Sequence, residues 1–577
     1  MAFGKYGAPH QIQAAILLVL GKALSVTTIV LLVLHVLTVL RNTVHETFPY
    51  FLIVLKPSKL SEPLAMKTIP HLFQICFLLL ASIGIAFAEN LTFTGTCDKD
   101  PLSYRCGEEM TFSIILVDRD NENKPVPGRT LSWERTGDDG QVERGKGTSD
   151  EPLVITTSLS KPGFAHIKVT ILDDDGKPVE GVTHTFDGGA GADIERIESY
   201  PAPDDFRDFW AGAMKNLHDT PYTVTMTPLE IEEPYNVWKF ELTTFDGERP
   251  STGLIGWRTD AGDGPLPATI GVYGYGFGPS GIPKQIMDQK RIFMIITRHG
   301  EEPREPQEYY EALKTNEMRG FCFRNNESLY GNDFYKMLMR DQRAMQWMES
   351  LPNVNLDDIV ANGGSMGGYR SIALAALDHH LASISADIPW CADLSGNPKF
   401  GRLGGWRPEF TETLGYFDAA NLATLVECPI SMCIGLGDYV CPPSTEMILY
   451  RNFNCTKKMT VVQNMIHGTW LGVNAAVTNY SNPIPISVDG PMADHLVLPA
   501  GRPLVLSGTA APGLAISACL QSATADDGDS IPVVSCMADE NGKWTLSIAT
   551  PENACGPFTV SLSAPAYRLS WRNIMFK

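Results

Sequence analysis

Positive charge is scarce in this sequence of 577 residues. Lysine and arginine together number 46, against 66 aspartates and glutamates, so the formal net charge at pH 7 is −20. Because binding to phosphate backbones needs clustered Lys and Arg, this balance argues against a nucleic-acid partner. An acidic excess otherwise mainly keeps a protein soluble.

Metal-type cysteine spacing is also lacking, and there is no internal repeat or low-complexity tract. Twelve cysteines are scattered along the chain; Cys97 and Cys106 flank a polar loop, and Cys519, Cys536 and Cys555 lie close together near the C-terminus. An exported protein could form disulfides there, but spacing leaves their connectivity open. No cluster of metal-ligand residues stands out, so we expect neither a metal nor another cofactor.

What is present is an ordinary globular composition. Hydrophobic residues make up 44% of the chain and charged residues 19%, which is typical neither of disorder nor of a polytopic membrane protein. A length of 577 residues is too great for one hydrophobic core and predicts three or four domains.

Residues Met66–Ala88 have every part of a secretory signal peptide. Lys67 supplies the positive start, Leu72–Phe87 is an apolar stretch, and Ala86–Ala88 is a small-x-small cleavage site. We therefore expect the residues that follow to lie outside the cytoplasm, secreted, periplasmic or at the cell surface.

The 65 residues before this segment leave two interpretations open. Their apolar run Ala14–Leu40 is long enough to span a bilayer. Either residues 1–65 are a misassigned start and translation begins at Met66, or residues 14–40 are a membrane anchor. A membrane partner is expected only in the second case.

Two regions show short alternating strands with Asp, Gly and Pro turns between them. In residues 89–187, examples are Met110–Val117 and His166–Leu172, and this spacing predicts an immunoglobulin-like β-sandwich. The glycine-rich residues 188–193 predict a linker. Residues 483–577 return to short strands and predict a second, C-terminal β-sandwich module.

Between them, residues 194–482 alternate apolar strand-like runs with helix-like stretches. This alternation predicts an α/β domain, a mostly parallel sheet with helices on both faces, flanked by the two sandwiches. A helix is predicted over Phe334–Glu349 from its apolar spacing. The expected central strands are Ala268–Tyr273, Ile292–Thr297, Ile359–Ala361 and Ile430–Ile434.

A Gly-x-Ser-x-Gly motif, Gly363 to Gly367 around Ser365, ends the Ile359–Ala361 strand and precedes the good helix former Tyr369–Leu377. In this strand–turn–helix context the motif is the nucleophile elbow of an α/β hydrolase. Side chains at 363 and 367 would collide where strand and helix approach. The turn therefore exposes the Ser365 hydroxyl at a helix N-terminus; a plain glycine-rich turn is the alternative.

A serine hydroxyl needs a base, and the base needs an orienting carboxylate. In this fold the order along the chain is serine, acid, histidine. Asp438 follows the Ile430–Ile434 strand, and His467 follows the strand-like Met459–Val462. Both residues therefore stand on loops at strand ends, in the required order.

Other acids and histidines compete for these roles. Asp387 and Asp393 come too soon after the elbow helix, and Asp418 precedes a strand and has the pattern of a surface turn. His379 and His380 end the elbow helix, where cationic side chains commonly lie because of the helix dipole.

An oxyanion hole completes the chemistry. One donor is expected to be the backbone N–H of Met366, the residue after the nucleophile. The second is expected from the loop after an early strand, where the N–H of Tyr275 is the best candidate. An ordinary turn at Tyr273–Gly276 is the alternative.

With these residues in place, residues 194–480 resemble the acetyl xylan esterase / cephalosporin C deacetylase family of carbohydrate esterases. Blocks similar to the family's motifs are Pro203–Trp210, Tyr273–Tyr275, Gly363–Gly368, Tyr416–Thr424, Cys428–Pro429, Gly437–Asp438 and Cys441–Thr445.

The resemblance implies that Ser365, Asp438 and His467 form a catalytic triad, with Tyr275 as an oxyanion donor. It implies the removal of acetyl groups from an acetylated oligo- or polysaccharide, through an acetyl-enzyme, and it allows a homo-oligomer.

Three positions depart from the family pattern. Arg298-His299-Gly300 stands for Arg-Gly-Gln, Met366 stands for Gln, and Gly468 stands for the Glu after the histidine.

The C-terminal module is similar to the β-sandwich that opens sialate O-acetylesterase-type enzymes. That likeness rests on five blocks, and the chain ends at Lys577 before any nucleophile block, so we expect no second active site and a truncated two-esterase protein. The blocks are Asp494–Leu498, Gly508–Gly513, Ala538–Trp544, Gly556–Thr559 and Arg572–Phe576.

Two other functions remain alternatives. A prolyl-oligopeptidase-like serine peptidase uses the same motif and order, although the residues before this domain are too few for the propeller such peptidases carry. A cell-surface carbohydrate-binding protein with a degenerate hydrolase domain would explain the altered Arg298–Gly300 and Gly468.

Overall fold

A computed structural model describes residues 90–577, apart from positions 180, 182–183, 231–233, 263, 279–280, 282–286, 288, 379, 473–475, 482–485, 490–491, 493–495, 511, 523–530, 554 and 565–566. The predicted anchor and signal peptide lie outside the described residues. No helix within the described ranges is both long enough and apolar enough to cross a membrane.

The N-terminal region folds into two antiparallel sheets that share one core. One sheet has the order β1-β2-β3 with β6 beside β2, and the other has the order β5-β4-β7-β8. Phe93 and Phe112 from the first sheet meet Ile167, Val169 and Phe186 from the second. The strands are β1 Leu91–Cys97, β2 Met110–Asp118, β3 Lys124–Pro125, β4 Thr130–Gly137, β5 Glu143–Thr148, β6 Leu153–Thr157, β7 Gly163–Leu172 and β8 Thr185–Ala192.

The linker predicted at residues 188–193 is wrong. Residues 185–192 form the buried strand β8, which pairs with β7 along its whole length. The glycines provide space for neighbouring groups: a Cβ at Gly188 would lie 2.1 Å from the Gln463 side chain, and one at Gly189 would lie 2.2 Å from the Ala165 carbonyl oxygen. A glycine-rich run here marks close packing rather than flexibility.

A ten-stranded sheet in the order β20-β17-β16-β15-β14-β12-β13-β11-β10-β9 forms the centre of the next region. The six strands from β17 to β13 in this order are parallel. At one edge β20 pairs with β17 in the antiparallel direction. At the other edge β11 pairs antiparallel with β13, β10 with β11, and β9 with β10. The strands of the region are β9 Val224–Pro228, β10 Tyr235–Leu242, β11 Ser251–Arg258, β12 Leu266–Val272, β13 Ile292–Ile296, β14 Val354–Gly364, β15 Leu381–Asp387, β16 Ile430–Gly435, β17 Lys457–Val462, β18 Met465–Ile466, β19 Thr469–Trp470 and β20 Val477–Ser481.

Helices connect and cover these strands. The four predicted central strands and the predicted helix are confirmed as β12, β13, β14, β16 and α3, whereas β15 and the antiparallel strands were not predicted. Strand β13 is buried at every position, as expected for a parallel strand covered on both faces. The helices are α1 Phe206–Asp219, α2 Gln307–Thr315, α3 Asp333–Ser350, α4 Met366–Leu377, α5 Gly396–Phe400, α6 Ala419–Leu422 and α7 Pro443–Asn452, with 3-10 turns at Arg119–Asn121, Ile194–Arg196, Glu412–Tyr416 and Ala423–Leu425.

The C-terminal region again consists of strands. They form sheets in the orders β21-β23-β26 and β22-β28-β27-β24-β25 around a core that includes Ile516, Trp544 and Phe558. The strands are β21 Ile486–Asp489, β22 Val497–Leu498, β23 Leu504–Ala510, β24 Ala515–Ser522, β25 Ile531–Met537, β26 Lys543–Ile548, β27 Cys555–Ala564 and β28 Tyr567–Phe576. Cys97 and Cys106 are not joined by a disulfide.

Candidate active site

Ser365 stands at the junction of β14 and α4, where the chain turns sharply. Its backbone angles are φ +58° and ψ −123°, a combination that L-residues rarely adopt. Three backbone hydrogen bonds hold it there: its N–H donates to the Asp387 carbonyl at 2.9 Å, and its carbonyl accepts from Tyr369 and Trp390 at 3.0 Å each. The turn directs the hydroxyl out of the sheet edge.

The glycines on either side of Ser365 are required by close packing. A Cβ at Gly363 would lie 2.5 Å from the carbonyl group of Gly367, and a Cβ at Gly367 would lie 2.2 Å from the carbonyl oxygen of Val272. Real side chains do not approach backbone atoms so closely. The collision predicted at both positions is therefore confirmed.

His467 lies between the serine and a carboxylate. Its Nε2 is 2.9 Å from Ser365 Oγ, and its Nδ1 is 2.8 Å from Asp438 Oδ2. The histidine stands in the short hairpin of β18 and β19, and Asp438 follows the end of β16. The structure thus brings together three residues from separate strand ends, spaced as a nucleophile, base and orienting acid require.

Asp438 is fixed by its own loop. Its Oδ1 accepts hydrogen bonds from the backbone N–H groups of Val440 and Cys441, both at 2.9 Å, and the residue is buried. A buried carboxylate that accepts three hydrogen bonds is held in one position. Asp438, Cys441 and His467 could also hold a metal ion by their spacing, although His467 directs its ring nitrogens at Asp438 and Ser365.

Beside the acid lies a second buried carboxyl group. Both side-chain oxygens of Glu446, in α7, lack a hydrogen-bond partner among the described residues. Burial, and then the charge of Asp438, raise the pKa of Glu446 well above its ordinary value. Both effects favour the neutral form of Glu446 over the charged one.

The two predicted oxyanion donors lie on either side of the serine. Met366 is the first residue of α4. The loop that carries Tyr275 follows β12, and a Cβ on Gly274 would lie 3.7 Å from Ser365 Cβ. Arg298 holds this loop, since its Nε donates to the Gly274 carbonyl at 2.5 Å. Tyr275 directly follows Gly274, the glycine that lies against Ser365.

The altered Arg298–Gly300 segment has a support that sequence reasoning missed. The buried carboxylate of Glu301 accepts from the backbone N–H of Arg298 at 3.3 Å and of His299 at 2.6 Å. The His299 ring packs 4.5 Å from the Phe277 ring and 3.8 Å from the Phe321 ring. Burial lowers its pKa to about 3, so His299 is neutral and structural.

The alternative acids have other roles in the structure. The Asp387 carbonyl accepts the Ser365 N–H, and Asp393 forms an ion pair with Arg402. The surface turn predicted at Asp418 is wrong. Asp418 is buried, and its carboxylate caps three backbone N–H groups, at positions 393, 394 and 420. Burial raises the pKa of Asp418 to about 7.

The alternative histidine His380 points to two carboxylates and not to the serine. His380 bonds to Glu349 at 2.7 Å and Asp378 at 3.0 Å. Hydrogen bonds to Asp378 and Glu349 raise the pKa of His380 to about 10. The three side chains are spaced as metal ligands could be. His379 lies outside the described residues.

Sequence reasoning also missed an aromatic cluster beside Ser365. The Tyr275 ring lies 5.8 Å from Trp390 and 4.7 Å from Trp406, and Phe323 lies 5.0 Å from Trp406. These rings come from four separate loops, so no local pattern links them.

A pair of amide side chains just before His467 was likewise missed. Gln463 exchanges two hydrogen bonds with the backbone of Gly189, at 2.7 and 2.8 Å. Asn464 accepts from the Asp187 N–H at 2.9 Å. The N-terminal sheet therefore docks directly on the loop that carries the histidine.

A parallel sheet with a serine elbow, and an acid and a histidine on later strand ends, defines a hydrolase of the α/β-hydrolase type. The family described as acetyl xylan esterase (AXE1) matches residues 194–397 and 407–482. The central domain is therefore similar to the acetyl xylan esterase family, and the chain is a carboxylic ester hydrolase.

One relative and two solved structures are also similar to this chain. The acetyl esterase Axe7A of Xylanibacter ruminicola is 26% identical over 449 residues, which cover 71% of this chain and 94% of the relative. The crystal structure of acetyl xylan esterase 1 from Thermoanaerobacterium sp. has a TM-score of 0.41 at 20% identity, covering 48% of this chain and 92% of that one. The acetyl xylan esterase from Paenibacillus sp. R4 gives the same TM-score, identity and coverage.

Proposed function

We propose that this protein removes acetyl groups from carbohydrates, with Ser365 as nucleophile, His467 as general base and acid, and Asp438 as the acid that orients the histidine. One observation supports this proposal above all others. The His467 ring spans the gap between Ser365 Oγ and Asp438 Oδ2, at 2.9 and 2.8 Å. An imidazole so placed can take the hydroxyl proton at one nitrogen while the carboxylate stabilises the positive charge at the other.

The first half of the reaction transfers the acetyl group to the enzyme. Ser365 Oγ attacks the acetyl carbonyl carbon as its proton moves to His467 Nε2. The negative oxygen of the tetrahedral intermediate accepts hydrogen bonds from the backbone N–H groups of Met366 and Tyr275. The intermediate then collapses: the bond to the sugar oxygen breaks, and His467 returns the proton to that oxygen, which leaves as a free sugar hydroxyl.

The second half releases acetate. Water loses a proton to His467 Nε2 and attacks the acetyl carbonyl of the acetyl-enzyme. Collapse of the second intermediate breaks the bond to Ser365 Oγ, which regains its proton. The raised pKa of Glu446 favours its neutral form, in which it does not add a second negative charge beside Asp438.

The setting of the enzyme is part of the proposal. The signal-peptide pattern of residues 66–88 supports action outside the cytoplasm, where acetylated glycans are found. The two sheets and common core of each flanking region support β-sandwich modules, immunoglobulin-like at the N-terminus. For the C-terminal module we propose a packing role, and its likeness to sialate O-acetylesterase-type enzymes stays a prediction.

Acetate release tests the function. The purified protein is expected to release acetate from acetylated xylo-oligosaccharides and from nitrophenyl acetate. Ser365→Ala is expected to lower kcat by more than about 10³-fold, because the covalent step is lost. Asp438→Asn is expected to lower kcat by about 10⁴-fold with little change in KM, because the histidine tautomer is no longer held.

Two results would contradict the proposal. Full acetate release by Ser365→Ala would show that Ser365 is not the nucleophile. Cleavage of fluorogenic dipeptides without any release of acetate from sugars would instead support the peptidase alternative.

A further inference from the structure

The segment 398–406 lies between the two stretches of this chain that match the family. The family match ends at residue 397 and resumes at residue 407. The segment starts within α5 and ends at Trp406, in the loop that follows this helix.

The N-terminal module holds this segment in place. The buried carboxylate of Asp138 accepts from the Leu403 N–H at 2.9 Å through one oxygen and from the Phe164 N–H at 2.8 Å through the other. Lys161 Nζ donates to the Phe400 carbonyl at 3.3 Å. These hydrogen bonds hold the backbone of the segment at Phe400 and Leu403. Trp406, at the end of the segment, therefore has a defined position.

Trp406 contacts three residues that adjoin the reacting groups. Its N–H donates to the Val440 carbonyl at 3.2 Å, and Val440 itself bonds to Asp438. Its ring stacks on Trp390 at 5.1 Å between centroids, with the planes 23° apart, and the Trp390 N–H donates to the Ser365 carbonyl. The rings of Trp406 and Tyr275 meet edge to face at 4.7 Å, and Tyr275 is the residue proposed to supply an oxyanion donor.

The Trp406 side chain is nevertheless open to solvent. Trp406 is 44% exposed and Phe323 is 38% exposed, whereas Trp390 beneath them is buried. Trp390 stacks on one face of the Trp406 indole, so the part of the ring that is open to solvent lies away from Trp390. A core packing role would bury this ring, and exposed aromatic surface at a site mouth is instead typical of ligand contact.

We propose that Trp406 and Phe323 form a sugar-binding wall beside the ester site, on which a pyranose ring of the acetylated substrate stacks. This proposal rests on the carbohydrate esterase function proposed above and adds to it the residues that select a sugar over a small ester. The C–H groups of a pyranose face are apolar and flat, and they match an exposed indole face of low conformational entropy. The free hydroxyl groups of the sugar then point to water.

The test compares two substrates in the full-length protein. Trp406→Ala is expected to lower kcat/KM for acetylated xylo-oligosaccharides by about 10-fold or more, mainly through KM, because stacking is lost with the ring. The kcat/KM for nitrophenyl acetate, which has no pyranose ring, is expected to fall much less, so the ratio of the two kcat/KM values is the quantity that reports the loss of stacking. Trp406→Phe, which keeps an aromatic face, is expected to recover most of the sugar activity.

Tyr330→Ala is the matched control. Tyr330 is an exposed aromatic of the same domain, at 62%, and its ring contacts Phe209 and Tyr335 rather than the wall. An equal loss on both substrates in Trp406→Ala, or no loss on either, would overturn the sugar-binding wall while leaving the esterase function intact. If the wild-type protein cleaves nitrophenyl acetate but no acetylated sugar, the proposed function fails, and the wall fails with it.

Discussion

Ser365 is one of several residues near the site whose backbone occupies the left-handed region. Ile388, Cys391 and Asp393, in the loop that follows β15, have φ values of +43°, +61° and +47°. Such conformations cost about 1–3 kcal/mol each and persist only where the surroundings determine them. The strain is concentrated where Trp390 is held against the serine, which agrees with a site that is shaped before substrate arrives.

At this scale the sequence predicted which polar side chains lie together at the candidate site. Ser365, Asp438 and His467 were found from motif, order and strand ends, because an elbow and two strand-end loops are local features. Asp418 was misjudged because nothing in its neighbouring residues tells a buried cap from a surface turn. Glu301 and Glu446 were missed because their burial depends on distant elements.

Glu446 offers a prediction about stability and pH. Its pKa is raised in the folded protein by burial and by Asp438, whereas in the unfolded chain it titrates near its ordinary value. The stability tied to its bound proton is therefore fully present below the unfolded pKa and is lost as pH rises through the folded pKa. Glu446→Gln removes this titration, so its melting temperature relative to wild type is expected to rise between pH 5 and pH 8.

Thermal melts of both proteins across this range provide the measurement. kcat is expected to stay close to the wild-type value, since the amide replaces a neutral carboxyl group. A constant difference in melting temperature at all pH values would show that Glu446 is not held in its neutral form.

Among the elements, β8 shows why a sequence pattern can mislead. Its glycine-rich residues have the composition of a linker, but they let Gln463 and the β7 backbone approach. Gly437, next to Asp438, also packs on this strand, since a Cβ there would lie 2.2 Å from the Asp187 carbonyl oxygen. One strand of the N-terminal module thus contacts both the acid loop and the histidine loop.

Gln463 is therefore expected to act as a positioning residue. Its buried amide continues the edge of β8 by exchanging two hydrogen bonds with Gly189. Gln463→Ala leaves those backbone groups unpaired, which costs about 1–3 kcal/mol of stability. It is also expected to lower kcat for nitrophenyl acetate by about 10-fold with little change in KM, because His467 loses its fixed position.

Gln342→Ala is the matched control for this variant. Gln342 is an equally buried amide, but it bonds to the Ala373 carbonyl of α4 and not to β8. It is expected to lower stability without a comparable loss of kcat. Equal effects of the two variants on kcat would argue against a positioning role for Gln463.

Across the whole molecule, the N-terminal module takes part in building the site. It contacts the acid loop and the histidine loop through β8, and it contacts the segment 398–406 through Asp138. The Tyr439 ring, directly after the acid, stacks on His166 of β7 at 3.9 Å. The sequence predicted the central α/β domain and the strand-rich character of the flanking regions from local patterns. Docking between the regions depends on side chains far apart in the chain and could not be predicted.

Covalent labelling of the serine tests the central claim most directly, because only an activated hydroxyl reacts quickly with a fluorophosphonate. Peptide mass mapping is expected to find one adduct, on Ser365, in the wild-type protein, and a rate lower by more than about 10²-fold in His467→Ala. An adduct on another residue, or no adduct in a folded protein, would contradict the account.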